Sequence, residues 1–187
     1  MHHLLFTGHM IDKTDRKFPR FPLGKENEIR DKIKLAVQNE TAGFDKNNVI
    51  GIAGGACGGD ILFHEVCREM SIKTSLYLAV PAEPFVTESV AFAGAGWVDR
   101  FYKLFNALDH FVLSRAEDLP DRLKTKTGYT IWERNNLWML YDSLVDGGVN
   151  MSLIAVWNGA SGDGTGGTEH MIREAKSRGA RVNVISI

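Results

Sequence analysis

The run Gly51-Ile52-Ala53-Gly54-Gly55-Ala56-Cys57-Gly58-Gly59-Asp60 lies between an apolar stretch, 49–52, and an amphipathic one, 61–70. A short apolar run that passes through glycines into a helical pattern reads as a strand-to-helix corner. Four glycines, Gly54, Gly55, Gly58 and Gly59, remove most Cβ atoms from that corner and let backbone approach a ligand closely. The following helix would aim free N–H groups and its positive dipole end at the same place, which favours an anion such as phosphate. The corner therefore points to a nucleotide-type ligand.

Working outward, residues 4–7 form a buried-strand pattern that ends at Gly8. His2 and His3 stand directly before it, either as native residues or as a tag remnant. Residues 13–24 form a basic, irregular loop. Ile29, Ile33, Ala36 and Val37 then recur at i, i+4, i+7 and i+8, which predicts a helix over about 25–39. The second strand, 49–53, leads through the glycine corner to a helix over 61–70, and residues 75–80 make a third strand stopped by Pro81. The order β-α-β-α-β predicts an α/β fold, a Rossmann-like parallel sheet flanked by helices on both faces. Ligands of such sheets bind beyond the carboxyl ends of the strands, where Gly8, the corner and Pro81 all lie.

Residues 82–128 interrupt the alternation and are expected to form a variable cover over that edge. Trp97, Phe101, Leu104, Phe105 and Leu108 have helical spacing within it, and 111–113 looks like a short strand. Their aromatic side chains fit a core better than a base-stacking platform. A helix over 131–145 carries two apolar stripes and is expected to be well buried. A strand over 153–157, a glycine-rich loop over 158–168, a helix containing Met171, Ile172 and Ala175, and a strand over 181–187 complete a single domain spanning 1–187.

Composition narrows the partners. With 187 residues, 44% hydrophobic and 24% charged, the chain suits one globular domain. Its net charge of −1 leaves only residues 13–20 as a basic patch, which argues against nucleic acid. No apolar run has the length of a membrane span. Two cysteines, Cys57 and Cys67, without a Cys-x-x-Cys pair or a secretory signal, fit a reduced cytoplasmic setting. Scattered histidines argue against a metal site, and no resident cofactor is expected.

The second glycine loop adds carboxylates, Asp163 and Glu169. A carboxylate at the mouth of a nucleotide pocket can stabilise or attack the charge that develops at a sugar C1′ during N-glycosidic cleavage. Glu169 otherwise complements the dipole of its helix, without a capping box because position 166 is Gly. Asp163 is either a ligand contact or a turn residue. Arg134 either clamps a phosphate or orients Glu169, unless its head sits in a surface ion pair. Glu133, one position off, is expected to be solvated or paired. Asp60 is a good N-cap as well as a ligand contact, and His64 is either a contact or a satisfied structural histidine. Gly166, Gly167 and Thr168 form the second cradle beside Gly8, Gly54, Gly55, Gly58, Gly59 and Asp60. Cys57 reads as a small filler.

Gly54-Gly55-Ala56-Cys57-Gly58-Gly59-Asp60, with His64 four positions on, resembles the corner of the SLOG superfamily, founded on the DNA-processing protein DprA and the LONELY GUY phosphoribohydrolases. The DprA-type Gly-Ser-Arg strand end is Thr7-Gly8-His9 here, so its Ser and Arg are not kept. Glu133-Arg134-Asn135-x-x-x-Met139 resembles the LONELY GUY Glu-Arg-Lys-x-x-Met. Gly166-Gly167-Thr168-Glu169 resembles a compressed Pro-Gly-Gly-x-Gly-Thr-x-x-Glu. The Asp163-x5-Glu169 spacing is similar to that of nucleoside 2-deoxyribosyltransferases, where the Glu is the nucleophile. The resemblance implies a nucleotide or nucleotide-derived signalling ligand, bound as in sensor domains of bacterial defence systems, or else an N-glycosidase that uses Glu169. It also implies a fold that commonly forms homodimers.

Overall fold

The computed structural model describes residues 1–116, 118–160 and 167–187. Six strands lie in one all-parallel sheet: β1 (His2–Gly8), β2 (Val49–Ala53), β3 (Lys73–Leu78), β4 (Asp109–Val112), β5 (Met151–Trp157) and β6 (Arg181–Ser186). Their spatial order is β4-β3-β2-β1-β5-β6. The helices among the described residues are α1 (Glu26–Thr41), α2 (Gly59–Glu69), α3 (Ala82–Ser89), α4 (Ala95–Ala107), α5 (Asp121–Lys124), α6 (Ile131–Ser143) and α7 (Thr168–Ser177). This is the α/β, Rossmann-like architecture expected from the strand-helix alternation.

The chain lays strands outward from β1 to β4, then returns to place β5 on the other side of β1. That reversal sets a topological switch point between β1 and β5, and the carboxyl-end edge to which it belongs is where such sheets receive ligands. Both faces of the sheet are covered, which is why its inner strands are apolar at successive positions. Leu4 and Phe6 enter the core beneath α1 and α2, whereas Leu5 enters the one beneath α6 and α7. Register carries the division across the sheet. Leu5 is level with Ile52 of β2 and Leu153 of β5, and all three share the second core.

Helical spacing is met where it was expected. Ile29, Ile33, Ala36 and Val37 of α1 are buried, as are Ile61, Leu62, Val66 and Cys67 of α2, and the two helices pack against each other. Trp97, Phe101 and Leu104 of α4 are likewise core residues. Arg100 ties α4 to its neighbours. Its guanidinium forks onto Glu65 at 2.8 and 2.7 Å, reaches Glu26 at 2.7 Å and lies 3.9 Å from the centre of the Trp97 ring.

Four expectations change. The first strand begins at His2, and both histidines belong to it: His2 Nε2 lies 3.2 Å from Ser152 Oγ, and His3 Nε2 lies 3.1 Å from Asp146 Oδ2. The cover region contains α3, whose helical pattern is hidden by Pro84. That proline falls in the first turn, where no helical N–H is required of it. Helix α6 is not buried all round. It buries Ile131, Asn135, Met139, Leu140 and Ser143, while Tyr141 faces solvent and receives the Arg178 guanidinium on its hydroxyl at 3.3 Å. Finally, Asp60 does not cap α2. The N-cap is Gly58, whose φ of 101° is a conformation that favours glycine.

Candidate functional site

A cavity of about 310 Å³ opens beyond the carboxyl ends of β1 and β2. Its walls come from four places: Met10 after β1; Gly54, Ala56 and Asp60 at the glycine corner; Phe85, Glu88 and Ser89 of α3; and Trp132, Asn135, Asn136 and Met139 of α6. The cover is held onto the corner by backbone, since Cys57 N–H donates to the Ser89 carbonyl at 3.0 Å.

The glycines of the corner divide by role. A Cβ on Gly54 would stand 2.7 Å from Asp60 Oδ2, so the absence of that atom makes room for the carboxyl. On Gly55 it would meet Phe101 at 2.9 Å and Leu76 at 3.0 Å. On Gly59 it would meet the Phe6 ring at 3.0 Å and the Gly8 Cα at 3.3 Å. Gly58 packs just as closely on the backbone of 9–11, where its bridge to Met10 lies. Gly55, Gly58, Gly59 and Gly8 thus allow helix, strand and loop to approach one another. Of the glycines expected to hold a ligand, Gly54 alone lines this cavity among the described residues.

The corner carries its own acid. Asp60 Oδ2 accepts the Ala56 N–H at 3.2 Å, and burial pushes its carboxyl up to about 7 in spite of that bond. An ionised group there competes with any phosphate for the positive end of α2. His64, one turn on, serves structure. Its Nε2–H donates to the Gly54 carbonyl at 3.0 Å and its Nδ1 accepts from Thr74 Oγ1 at 2.9 Å. Burial holds it down at about 4, so it is neutral. Cys57 is buried and pushed up to about 12 by loss of solvent, which rules out a ready thiolate.

Helix α6 supplies the opposite wall. Thr130 caps it by accepting the Glu133 N–H at 3.1 Å. Asn135, 5% exposed, directs Nδ2 towards the Tyr77 carbonyl at 3.5 Å, and its Oδ1 has no hydrogen-bond partner among the described residues. Because Tyr77 presents a carbonyl, the amide nitrogen must face it and the oxygen must be the unsatisfied atom. An orphaned buried acceptor on a cavity wall is a group waiting for a donor. Glu133 is neither solvated nor firmly paired. Its Oε2 is buried without a partner among the described residues, and Oε1 is 4.0 Å from His170 Nε2 of α7.

The other expected site residues lie apart from the cavity lining. Arg134 is half-buried in the first turn of α6, and Glu169 is exposed in the first turn of α7. Gly167 is the N-cap of α7 and Thr168 its buried first residue. Asp163 and Gly166 fall outside the described residues. At the sheet switch point, His9 Nε2 lies 3.1 Å from Asn158 Oδ1 and 3.4 Å from the Asn158 backbone nitrogen, and so bridges the ends of β1 and β5. Asn158 also accepts the Ala160 N–H at 3.2 Å, which fixes its oxygen in place.

Asn135 and Met139 were present in the sequence as parts of the Glu133-Arg134-Asn135-x-x-x-Met139 segment. Their spacing of four puts both on the wall that faces the cavity, while attention to charge draws the eye to Arg134 instead. Phe85, Glu88 and Ser89 carry no signal in the sequence, because Pro84 hides the helical pattern of α3.

Fold and cavity together define an α/β Rossmann-like protein with a half-open, carboxyl-bearing pocket at its sheet edge. Comparison with family models finds no match, and neither do searches of curated proteins and of solved structures. No helix among the described residues is long and apolar enough to cross a membrane, and none of their acidic, His and Cys side chains cluster as a metal site would.

Proposed function

We propose that this protein binds a nucleotide or nucleotide-derived signalling ligand in the cavity at the Gly54–Asp60 corner, as a sensor or binding module. The observation that carries this reading is the cavity wall itself. Aromatic Trp132 and Phe85, thioether Met10 and Met139, and the unsatisfied Asn135 oxygen converge beyond the strand ends. Flat apolar surface with a few polar atoms suits a heteroaromatic base. The acid at the corner argues for a phosphate held away from α2 and outside the cavity, and Arg134, outside the lining in the first turn of α6, is the cation proposed for it.

A hydrolytic second reading draws on one specific feature, the Asp60 carboxyl held up to about 7 in the cavity. Such a group can give a proton to a departing base near neutral pH. N-glycosidic cleavage through Glu169 gains less, because that side chain is exposed and outside the cavity lining.

Thermal melts and calorimetry with nucleoside mono- and diphosphates, NAD and cyclic ADP-ribose-type compounds test the binding reading. A true ligand at one hundred times its Kd adds about 2.7 kcal/mol, a rise in Tm of about 5–10 °C for a chain of this size. Absence of any shift across the panel at millimolar concentration overturns it. Chromatography of the same mixtures separates the two readings, since released base that disappears in Asp60→Asn would establish the hydrolase, and release that persists there but disappears in Glu169→Gln would move its chemistry to Glu169.

A further inference from the structure

The cavity wall carries a pattern of charge that a general nucleotide pocket does not require. Among the described residues the charged side chains lining it are Asp60 and Glu88, both acids, and no Lys, Arg or His is among them. Among the described residues Asp60 accepts one hydrogen bond, from Ala56 N–H to Oδ2, which leaves the rest of the carboxyl's acceptor capacity for a ligand. Asn135 offers a further acceptor, fixed in orientation by the Tyr77 carbonyl behind it. The wall therefore rejects phosphate and calls for a flat ring that donates hydrogen bonds.

Resting on the nucleotide reading above, we infer that the cavity takes the base and that Asp60 selects guanine, whose N1–H and 2-amino group present two adjacent donors. A carboxylate offers two parallel acceptors and meets such an edge bidentately. Adenine presents a donor beside an acceptor at the equivalent edge, which sets a ring nitrogen lone pair against a carboxylate oxygen. Hypoxanthine keeps N1–H but lacks the amino group, so one acceptor loses its partner. Loss of a partner from a buried polar site is what makes hydrogen-bonded specificity steep. Trp132 and Phe85 supply the apolar contact for the ring, and the cavity volume is near the lower end of the range for small-molecule sites.

The test is calorimetric titration of the full chain with guanosine, inosine, adenosine and xanthosine, repeated on Asp60→Asn. Guanosine is expected to bind at least about tenfold tighter than inosine or adenosine. In Asp60→Asn the preference is expected to pass to xanthosine, whose 2-carbonyl accepts from the new amide N–H while N1–H still donates to its oxygen. A merely structural role for Asp60 would weaken every nucleoside together. Adenosine or inosine binding as tightly as guanosine overturns the base assignment and leaves the nucleotide reading standing. Unchanged guanosine affinity in Asp60→Asn also overturns it. If no nucleoside or nucleotide binds at all, the nucleotide reading fails and takes this inference with it. Should Asp60→Asn not fold, the four ligands on the unaltered chain still decide.

Discussion

Asp60 and His64 stand one turn apart on α2 and both close on Gly54, the carboxyl in the space beside its Cα and the imidazole on its carbonyl oxygen at 3.0 Å. Burial acts on the pair in opposite senses, pushing the acid up to about 7 and the base down to about 4. The unfolded chain releases the Asp60 proton first, so this group lowers stability as pH climbs from about 4 to 7. The unfolded chain takes up the His64 proton first, so that group lowers stability as pH falls from about 6.5 to 4. The two slopes oppose each other over nearly the same window. Asp60→Asn is therefore expected to expose the His64 slope, its stability relative to the unaltered protein rising steadily between pH 4 and 7. Urea denaturation at four pH values in that range checks it, and parallel curves would contradict it.

The Gly54 position should tolerate no side chain. A Cβ 2.7 Å from Asp60 Oδ2 forces the carboxyl off the Ala56 N–H, and overpacking of this kind costs about 1–3 kcal/mol. Gly54→Ala is expected to lose that stability and to lose the pH signature of Asp60 with it. Gly96→Ala is the control, because Gly96 lies in α4 with nothing within 4 Å of its would-be Cβ. There the helix gains about 0.5–1 kcal/mol.

Arg100 adds a polar tie to the apolar packing that holds the cover on the sheet. Its fork on Glu65 and its third bond to Glu26 join α4 to α2 and α1, and Glu65 and Glu26 hold the guanidinium above its ordinary range against the pull of burial. Arg100→Ala is expected to destabilise by about 2 kcal/mol. Arg100→Lys should recover less than half, because an ammonium keeps the charge and loses both the fork and the stacking on Trp97. Equal stability of the Lys variant and the unaltered protein, measured in urea, would show that charge alone matters.

Much of the fold was legible because its rules are local. Apolar runs at 4–7, 49–53 and 153–157 needed only burial on both faces, and the spacing of Ile29, Ile33, Ala36 and Val37 needed only one helical face. The site was less legible because it is made of absences. Gly55 and Gly59 look like Gly54 in the sequence, yet they are small so that Phe101 and Phe6 can come close, while Gly54 makes way for Asp60. Nothing in the chain order says that α3 will return over the corner, or that Tyr77 will leave Asn135 with a free oxygen. Tyr141 shows the opposite case, a residue on an apolar stripe of α6 that faces solvent. Its ring completes an apolar stripe, but a phenol hydroxyl can face water and take an arginine there.

Asn135 offers the sharpest separation of folding from function. Its side chain is buried, its Oδ1 is unsatisfied among the described residues, and its hydrogen bond to Tyr77 is long at 3.5 Å. A polar group in that state opposes folding, since the desolvation of the oxygen is not returned by a bond. Leucine has nearly the same shape and no orphaned atom. Asn135→Leu is therefore expected to raise stability by about 1 kcal/mol while abolishing nucleotide binding, the reverse of what a packing residue would do. Paired measurements decide between the roles: urea denaturation of both proteins without ligand, and the Tm shift that each shows with the same nucleotide. Loss of stability together with retained binding would make Asn135 a structural residue and remove it from the site.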